Sequence, residues 1–181
     1  IREKADVLLI GGDIACTKKS LRNALKELSK FKGKKLAYLG NHEMRALETS
    51  SFLNYAEEMA PLFARYGFKL LDHKPAVIDN IGFAGNVGWF DFSLYSAGIP
   101  EDIEKAMQYH YSRHKTGGIS AAEFTGQCIQ KINRDIREIE SKCDKICIGF
   151  HHIGFKEFLL YGSSRQFDYK NALMGSENIR K

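Results

Sequence analysis

Asp13, Asn41, His42, His151 and His152 each follow a short apolar run that breaks abruptly into polar residues. Asp13 comes after Val7-Leu8-Leu9-Ile10 and the pair Gly11-Gly12. Asn41 and His42 stand in Gly40-Asn41-His42-Glu43, after Lys35-Leu36-Ala37-Tyr38-Leu39. His151 and His152 follow Lys145-Ile146-Cys147-Ile148-Gly149-Phe150. A carboxylate, an amide and imidazoles form a mixed oxygen and nitrogen donor set, which suits manganese, iron, zinc or cobalt rather than calcium. A carboxylate can bridge two such ions roughly 3.5–4 Å apart, and the pair can hold a phosphate ester and activate a water for in-line attack on phosphorus. A histidine that is not a ligand can protonate the departing alkoxide, because imidazole titrates near neutral pH. Arg45 can reach a phosphate through its guanidinium fork, or serve in a surface salt bridge.

These side chains need strand ends to bring them together. Residues 5–10 form an apolar run rich in branched side chains, the pattern of a strand buried on both faces. Thr17 and Ser20 are candidate N-caps. Leu21, Leu25, Leu28 and Phe31 then recur at three- and four-residue intervals, an amphipathic helix closed by Gly33. With the strand over 35–39 this makes a β-α-β unit, whose parallel strands carry Asp13 and Asn41 to the same edge of a sheet. In α/β proteins that edge is where ligands gather.

Residues 50–66 read as helical, with Pro61 marking a kink or the start of a second short helix. The run Phe68-Lys69-Leu70-Leu71 follows. A hairpin is expected from 75–78 and 81–85 around the turn Asp79-Asn80. Between Asn86 and Gly118 aromatic residues cluster (Trp89, Phe90, Phe92, Tyr95, Tyr109, Tyr111), either lining a substrate pocket or packing under neighbouring helices. His110 and His114 are spaced i, i+4, which fits a zinc-binding pair or an ordinary helix face. Ser120 and Glu123 form a capping-box pattern ahead of a helix striped by Phe124, Cys128, Ile132, Ile136 and Ile139. We read 93–140 as a helical insertion capping the site. Lys145 to Phe150 is a further buried strand, residues 162–164 a mobile loop, and a helix is expected to start at Asn171.

With 181 residues, 44% of them hydrophobic and 27% charged, the chain fits one soluble domain spanning 1–181 with a substantial core. Net charge is +5, and the excess lysine is scattered rather than blocked, which favours an anionic substrate only weakly. Cys16, Cys128, Cys143 and Cys147 show neither disulfide-framework nor zinc-finger spacing and read as small buried hydrophobes in a reducing, cytoplasmic setting. No apolar run approaches the ~18 residues of a membrane span.

The order Gly-Asp, then Gly-Asn-His-Glu about thirty residues later, then a strand ending in histidine, resembles the calcineurin-like metallophosphoesterase superfamily. That family's pattern runs Asp-x-His, Gly-Asp, Gly-Asn-His-(Asp or Glu), His, Gly-His-x-His, and the chain matches the central three blocks. The resemblance implies an α/β fold of four layers, an α/β/β/α sandwich of two mixed sheets. It implies a dinuclear-metal enzyme holding two divalent ions (manganese, iron, zinc or cobalt). Asp13 would bridge the ions, Asn41 and His151 would bind the second, and His42 would be the leaving-group acid. His152 competes with His151 for the ligand role, and the first residue after the strand is preferred.

No Asp-x-His precedes Asp13 and no Gly-His-x-His follows His152. The chain opens at Ile1 without methionine and closes in apparent mid-helix, so we expect a fragment whose first and last strands lie beyond it. The expected activity is metal-dependent hydrolysis of a phosphate monoester or diester, on a phosphorylated small molecule or a nucleotide. A nuclease of the same superfamily and a binding scaffold with a degenerate, metal-poor site are the alternatives. Nucleic acid is a possible partner and a membrane is not. Oligomeric state is not readable.

Overall fold

Branched apolar residues from Val7 onward favour an extended, packed backbone, and they form strand β1 (Val7–Gly11). A computed structural model describes residues 5–45, 54–94, 102, 119–159 and 165–180. Thr17 caps the following helix α1 (Lys18–Leu28), its side chain accepting the Ser20 N–H. Leu21 and Leu25, one turn apart on α1, are both fully buried, each worth about 1.5–3 kcal/mol of hydrophobic stabilisation. The chain returns through Gly33, where a Cβ would sit 2.3 Å from the Asp6 carbonyl oxygen. Strand β2 (Lys34–Tyr38) then pairs in parallel with β1, Leu9 opposite Leu36 and Gly11 opposite Tyr38. This is the β-α-β unit expected from the sequence.

Helix α2 (Asn41–Arg45) follows the end of β2. Helix α3 (Tyr55–Arg65) is a single helix running through Pro61, with Tyr55, Met59 and Phe63 buried along one stripe. Phe63 meets Phe68 edge-on at 6.3 Å between ring centroids, which seats α3 beside β3 (Phe68–Leu70). Strand β3 joins β2 in parallel, giving the order β1-β2-β3.

The second sheet begins with the expected hairpin, β4 (Ala76–Ile78) and β5 (Ile81–Asn86). Asp79 (φ 47°) and Asn80 (φ 67°) are both left-handed, as a two-residue turn between right-twisted strands requires. Strand β6 (Lys145–Phe150) pairs in parallel with β5, completing the order β4-β5-β6. Of the two sheets expected to be mixed, the second is mixed and the first, among the described residues, is parallel throughout. Leu36, Leu71, Ala76, Ile78 and Phe83 form a core cluster drawn from both sheets, with Val7, Leu9 and Tyr38 packed against it.

Two strands expected to be buried on both faces are not. β1 is half-buried, and β6 holds only exposed and intermediate positions, with Cys147 and Ile148 exposed. Both are terminal in their sheet order among the described residues, so each has a neighbour on one side. Edge or centre is a property of strand order, which an apolar run does not encode.

Part of the expected insertion is helix α4 (Ala121–Ile139), the crossover between the parallel strands β5 and β6. Its capping box forms as read: the Ser120 N–H donates to Glu123 Oε2 (2.7 Å) and the Glu123 N–H to Ser120 Oγ (3.2 Å). Toward its end Ile139 lies against Gly82 of β5. Tyr95, Tyr109, Tyr111, His110, His114 and the loop at 162–164 lie outside the described residues.

Residues 5–45, 54–87 and 132–151 form one compact unit, and 88–94, 119–131, 152–159 and 165–180 fall in another. In the latter, Trp89 stacks on Phe90 (4.9 Å) and meets Phe124 edge-on (5.3 Å), so these aromatics pack a core. The helix expected from Asn171 is instead α5 (Arg165–Ala172), ending near where it was expected to start. Beyond it Gly175 bridges Ile153, so close that a Cβ would strike the Ile153 carbonyl oxygen. This extended crossing stops the helix.

Candidate active site

The carboxyl ends of β1 and β2 approach so closely that side chains are excluded. A Cβ on Gly12 (φ 81°) would lie 2.3 Å from the Gly40 nitrogen, and one on Gly40 would lie 2.3 Å from Asp13 Oδ1. The glycines preceding Asp13 and Asn41 therefore serve backbone contact, and they bring the two polar residues to one place. Asp13 itself is left-handed (φ 54°), a conformation that is costly for most residues and tolerated best by Asn and Asp. Its Oδ1 accepts the His42 N–H at 3.1 Å.

Glu43 holds this junction. Its side chain is fully buried, and its carboxylate accepts three backbone N–H groups: Asp13 (2.8 Å) and Gly40 (2.9 Å) on Oε2, and Ala15 (2.7 Å) on Oε1. Charge-assisted bonds of this kind are roughly twice as strong as neutral ones. The sequence contained Glu43 within its motif but gave no sign of this role, because two of its partners lie far upstream. Asp72 is a second buried strut, its carboxylate accepting Leu39 N–H (2.7 Å) and Val87 N–H (2.9 Å) just past the ends of β2 and β5.

His151 enters from the end of β6. Its Nδ1 lies 2.9 Å from the Gly11 carbonyl oxygen. Its Nε2 lies 3.3 Å from Asp13 Oδ1 and 3.2 Å from Asn41 Oδ1. A carbonyl oxygen only accepts, so Nδ1 carries the proton and Nε2 of the neutral ring presents a lone pair. That lone pair points at two further oxygen acceptors. An imidazole nitrogen, a carboxylate oxygen and an amide oxygen lie together there, donor types that could hold a cation, and the second ring nitrogen is anchored on a main-chain oxygen.

His42 sits on the other side of Asp13. Its Nε2 is 3.8 Å from Asp13 Oδ2 and its Nδ1 is 3.0 Å from Cys16 Sγ. Cys16 is exposed. Arg45 ends α2, and its side chain lies outside the described residues. His152 is buried, its ring against Trp89 (5.0 Å) and Phe90 (6.0 Å). Thus of the two adjacent histidines it is His151 that joins Asp13 and Asn41. Among the described residues no three His, Cys, Asp or Glu side chains gather for a metal, and here the third donor is an amide.

Tyr38 packs beneath the site. Its ring fills the places that Cβ atoms on Gly11 and Gly149 would take and lies 3.0 Å from that of Gly85. Burial pushes its phenol pKa up, with Cys147 and Asp72 adding to the rise. No helix among the described residues is long and apolar enough to cross a membrane.

No protein-family model matches the sequence, and no curated protein matches it. Among solved structures the chain is similar to phosphopantetheinyl hydrolase (PptH) from Mycobacterium tuberculosis, with a TM-score of 0.63 and 14% sequence identity. The match covers 96% of this chain and 66% of that one, so the chain spans somewhat less than two thirds of that protein's length. At that identity the likeness is one of fold.

Proposed function

We propose that this chain is the core of a metal-dependent phosphoester hydrolase. The carrying observation is the convergence of His151 Nε2, Asp13 Oδ1 and Asn41 Oδ1, with His151 Nδ1 committed to the Gly11 carbonyl. The donor set fits one divalent ion of the manganese, iron, zinc or cobalt group. A second ion would share Asp13, the bridging role that the family resemblance implies. When bound, such ions polarise a phosphoryl group and lower the pKa of water.

The chain's own residues then have distinct tasks. Asp13, Asn41 and His151 hold the cation site. Gly12, Gly40 and Glu43 fix the backbone that carries them. His42 gives the proton from Nε2 to the departing alkoxide oxygen. The four-layer sandwich and the Asp-x-His and Gly-His-x-His segments beyond this chain belong to the same reading, and codons on both sides of the present sequence check the segments directly. The hydrolase name of the structural neighbour supports the reaction class. The substrate is a phosphorylated small molecule or nucleotide.

Titration calorimetry of manganese into the full-length protein tests the proposal, alongside turnover of an aryl phosphate monoester, a bis-aryl phosphodiester, a phosphopantetheinyl ester and single-stranded DNA. Manganese binding that is lost in His151→Ala, with hydrolysis of at least one small ester, is expected. Turnover of DNA alone would make the protein a nuclease. Absence of both binding and turnover would leave a scaffold and overturn the proposal.

A further inference from the structure

Strand β2 begins with Lys34 and Lys35, and these two lysines meet Lys69 of β3 around a cavity of about 360 Å³. Leu36 pairs with Lys69 in the parallel register, and Lys34 stands two residues before Leu36. Side chains two apart on a strand share a face, so Lys34 and Lys69 project from the same face of the first sheet. On that face Leu36 joins the core cluster with Ile78. Val77, Ile78 and Asp79 of the hairpin form the facing wall of the cavity. The five-residue β2 puts roughly 13 Å between this end and the strand end that leads to Asn41.

Lys35 projects from the other face of β2 and is held in place. Its Nζ donates to the carbonyl oxygens of Phe31 (2.9 Å) and Gly33 (3.4 Å). An ammonium has three N–H donors, so one is left after these two bonds. Three ammonium groups therefore line the cavity against one carboxylate, Asp79. Among the described residues Lys34, Lys69 and Asp79 make no ion pair. The neighbouring chain adds positive charge rather than cancelling it. Residues 18–35 hold eight Lys or Arg and a single carboxylate, Glu27, a net +7 where the whole chain is +5. Glu27 is engaged by Lys30.

We propose that this cavity is a binding site for a small organic phosphate monoester, separate from the site at the other end of β2. A monoester dianion matches the excess of two positive charges. Lys34, Lys69 and the remaining N–H of Lys35 supply charge-assisted hydrogen bonds to its oxygens. An anion between Lys34 and Lys69 also relieves their mutual repulsion. Val77 and Ile78 give the organic group an apolar wall, and the volume is that of a small-molecule pocket. The site requires no metal and no ester hydrolysis by this chain.

Titration calorimetry of phenyl phosphate, inorganic phosphate and succinate tests this, with full-length protein stripped of divalent metal on a chelating resin. Phenyl phosphate is expected to bind tightest and to shift the backbone amide signals of Gly33 and Gly67, which line the cavity. Lys34→Gln combined with Lys69→Gln should weaken it about tenfold or more. Lys19→Gln combined with Lys26→Gln removes the same charge from exposed positions of α1 and should leave affinity within about twofold. His151→Ala should do the same, and circular dichroism checks that each variant is folded. Equal losses in the two double variants would reduce the site to diffuse attraction and overturn the proposal. A loss in His151→Ala would put the ester at the other end of β2 and overturn it too. Succinate or inorganic phosphate binding more tightly than phenyl phosphate would overturn the ligand class. No binding of phenyl phosphate up to about 10 mM would overturn the site itself.

Discussion

His151 donates from Nδ1 to the carbonyl oxygen of Gly11 across 2.9 Å, joining the ends of strands from two different sheets. The main-chain acceptor decides which ring nitrogen keeps a lone pair, and so decides that Nε2 faces Asp13 and Asn41. If these three hold one cation, losing any of them should weaken manganese binding by at least about tenfold. His151→Ala and Asn41→Ala should also be less than additive when combined, because a lost ion cannot be lost again. Calorimetry on the two single variants and the double variant measures this. Strictly additive losses would mean that the two side chains serve different sites.

Glu43 ties the loop after β1 to the loop after β2 through three backbone N–H groups. Glu43→Ala would take the acceptor from the buried Gly40 N–H and the partly buried Asp13 and Ala15 N–H groups, and a buried unpaired group costs about 1–3 kcal/mol. We expect Glu43→Ala to lose about 2–5 kcal/mol in urea unfolding, as one buried and two partly buried donors lose their acceptor. Glu43→Gln should lose less, since its amide oxygen still accepts. A stability of Glu43→Ala equal to that of wild type would show that the latch is dispensable.

Much of this site was legible because an apolar run followed by glycine and a polar side chain marks a strand end, and β-α-β connectivity places Asp13 beside Asn41. The register was not legible. His151 and His152 lie in the bend just past β6, and there they part company, one toward Asp13 and the other onto Trp89. Cys147 looked buried within its apolar run and is exposed, because strand order rather than composition makes β6 terminal. The role of Glu43 was missed for a physical reason. Two of its three partners, Asp13 and Ala15, are set by loops meeting across the sheet edge, and no local pattern records that meeting.

Gly40 offers a sharper test of the junction than any of the polar residues. A Cβ there would press on Asp13 Oδ1 (2.3 Å), the Asp13 nitrogen (2.5 Å) and His151 Cε1 (2.9 Å). The nitrogen is backbone and cannot swing aside. Gly40→Ala should therefore separate Asp13 from His151, lowering manganese affinity while far-ultraviolet circular dichroism stays near wild type. Unchanged affinity would mean that the backbone relaxes without disturbing the ligands.

Asp91, in the other compact unit, supplies a separate pH signature. Its carboxylate accepts from Ser93 Oγ (2.5 Å), Ser93 N–H (3.1 Å), Ser176 Oγ (2.6 Å) and Asn178 Nδ2 (2.9 Å). Burial alone would raise its pKa, but the bonds from Ser176, Ser93 and Asn178 outweigh burial and hold it below the usual carboxylate range. In the unfolded chain the group titrates near the ordinary value of about 4. The bonds favour the charged form, so their contribution is present above that value and is lost as pH falls through the lower folded one. Urea midpoints measured from about pH 6 down to about pH 2 should fall more steeply in wild type than in Asp91→Asn, which has no charge to lose. The two curves should run parallel above about pH 5, where the carboxylate is ionised in both folded and unfolded wild type. Parallel curves through the acid range would show that the Ser93–Ser176–Asn178 cluster does not favour the ionised carboxylate.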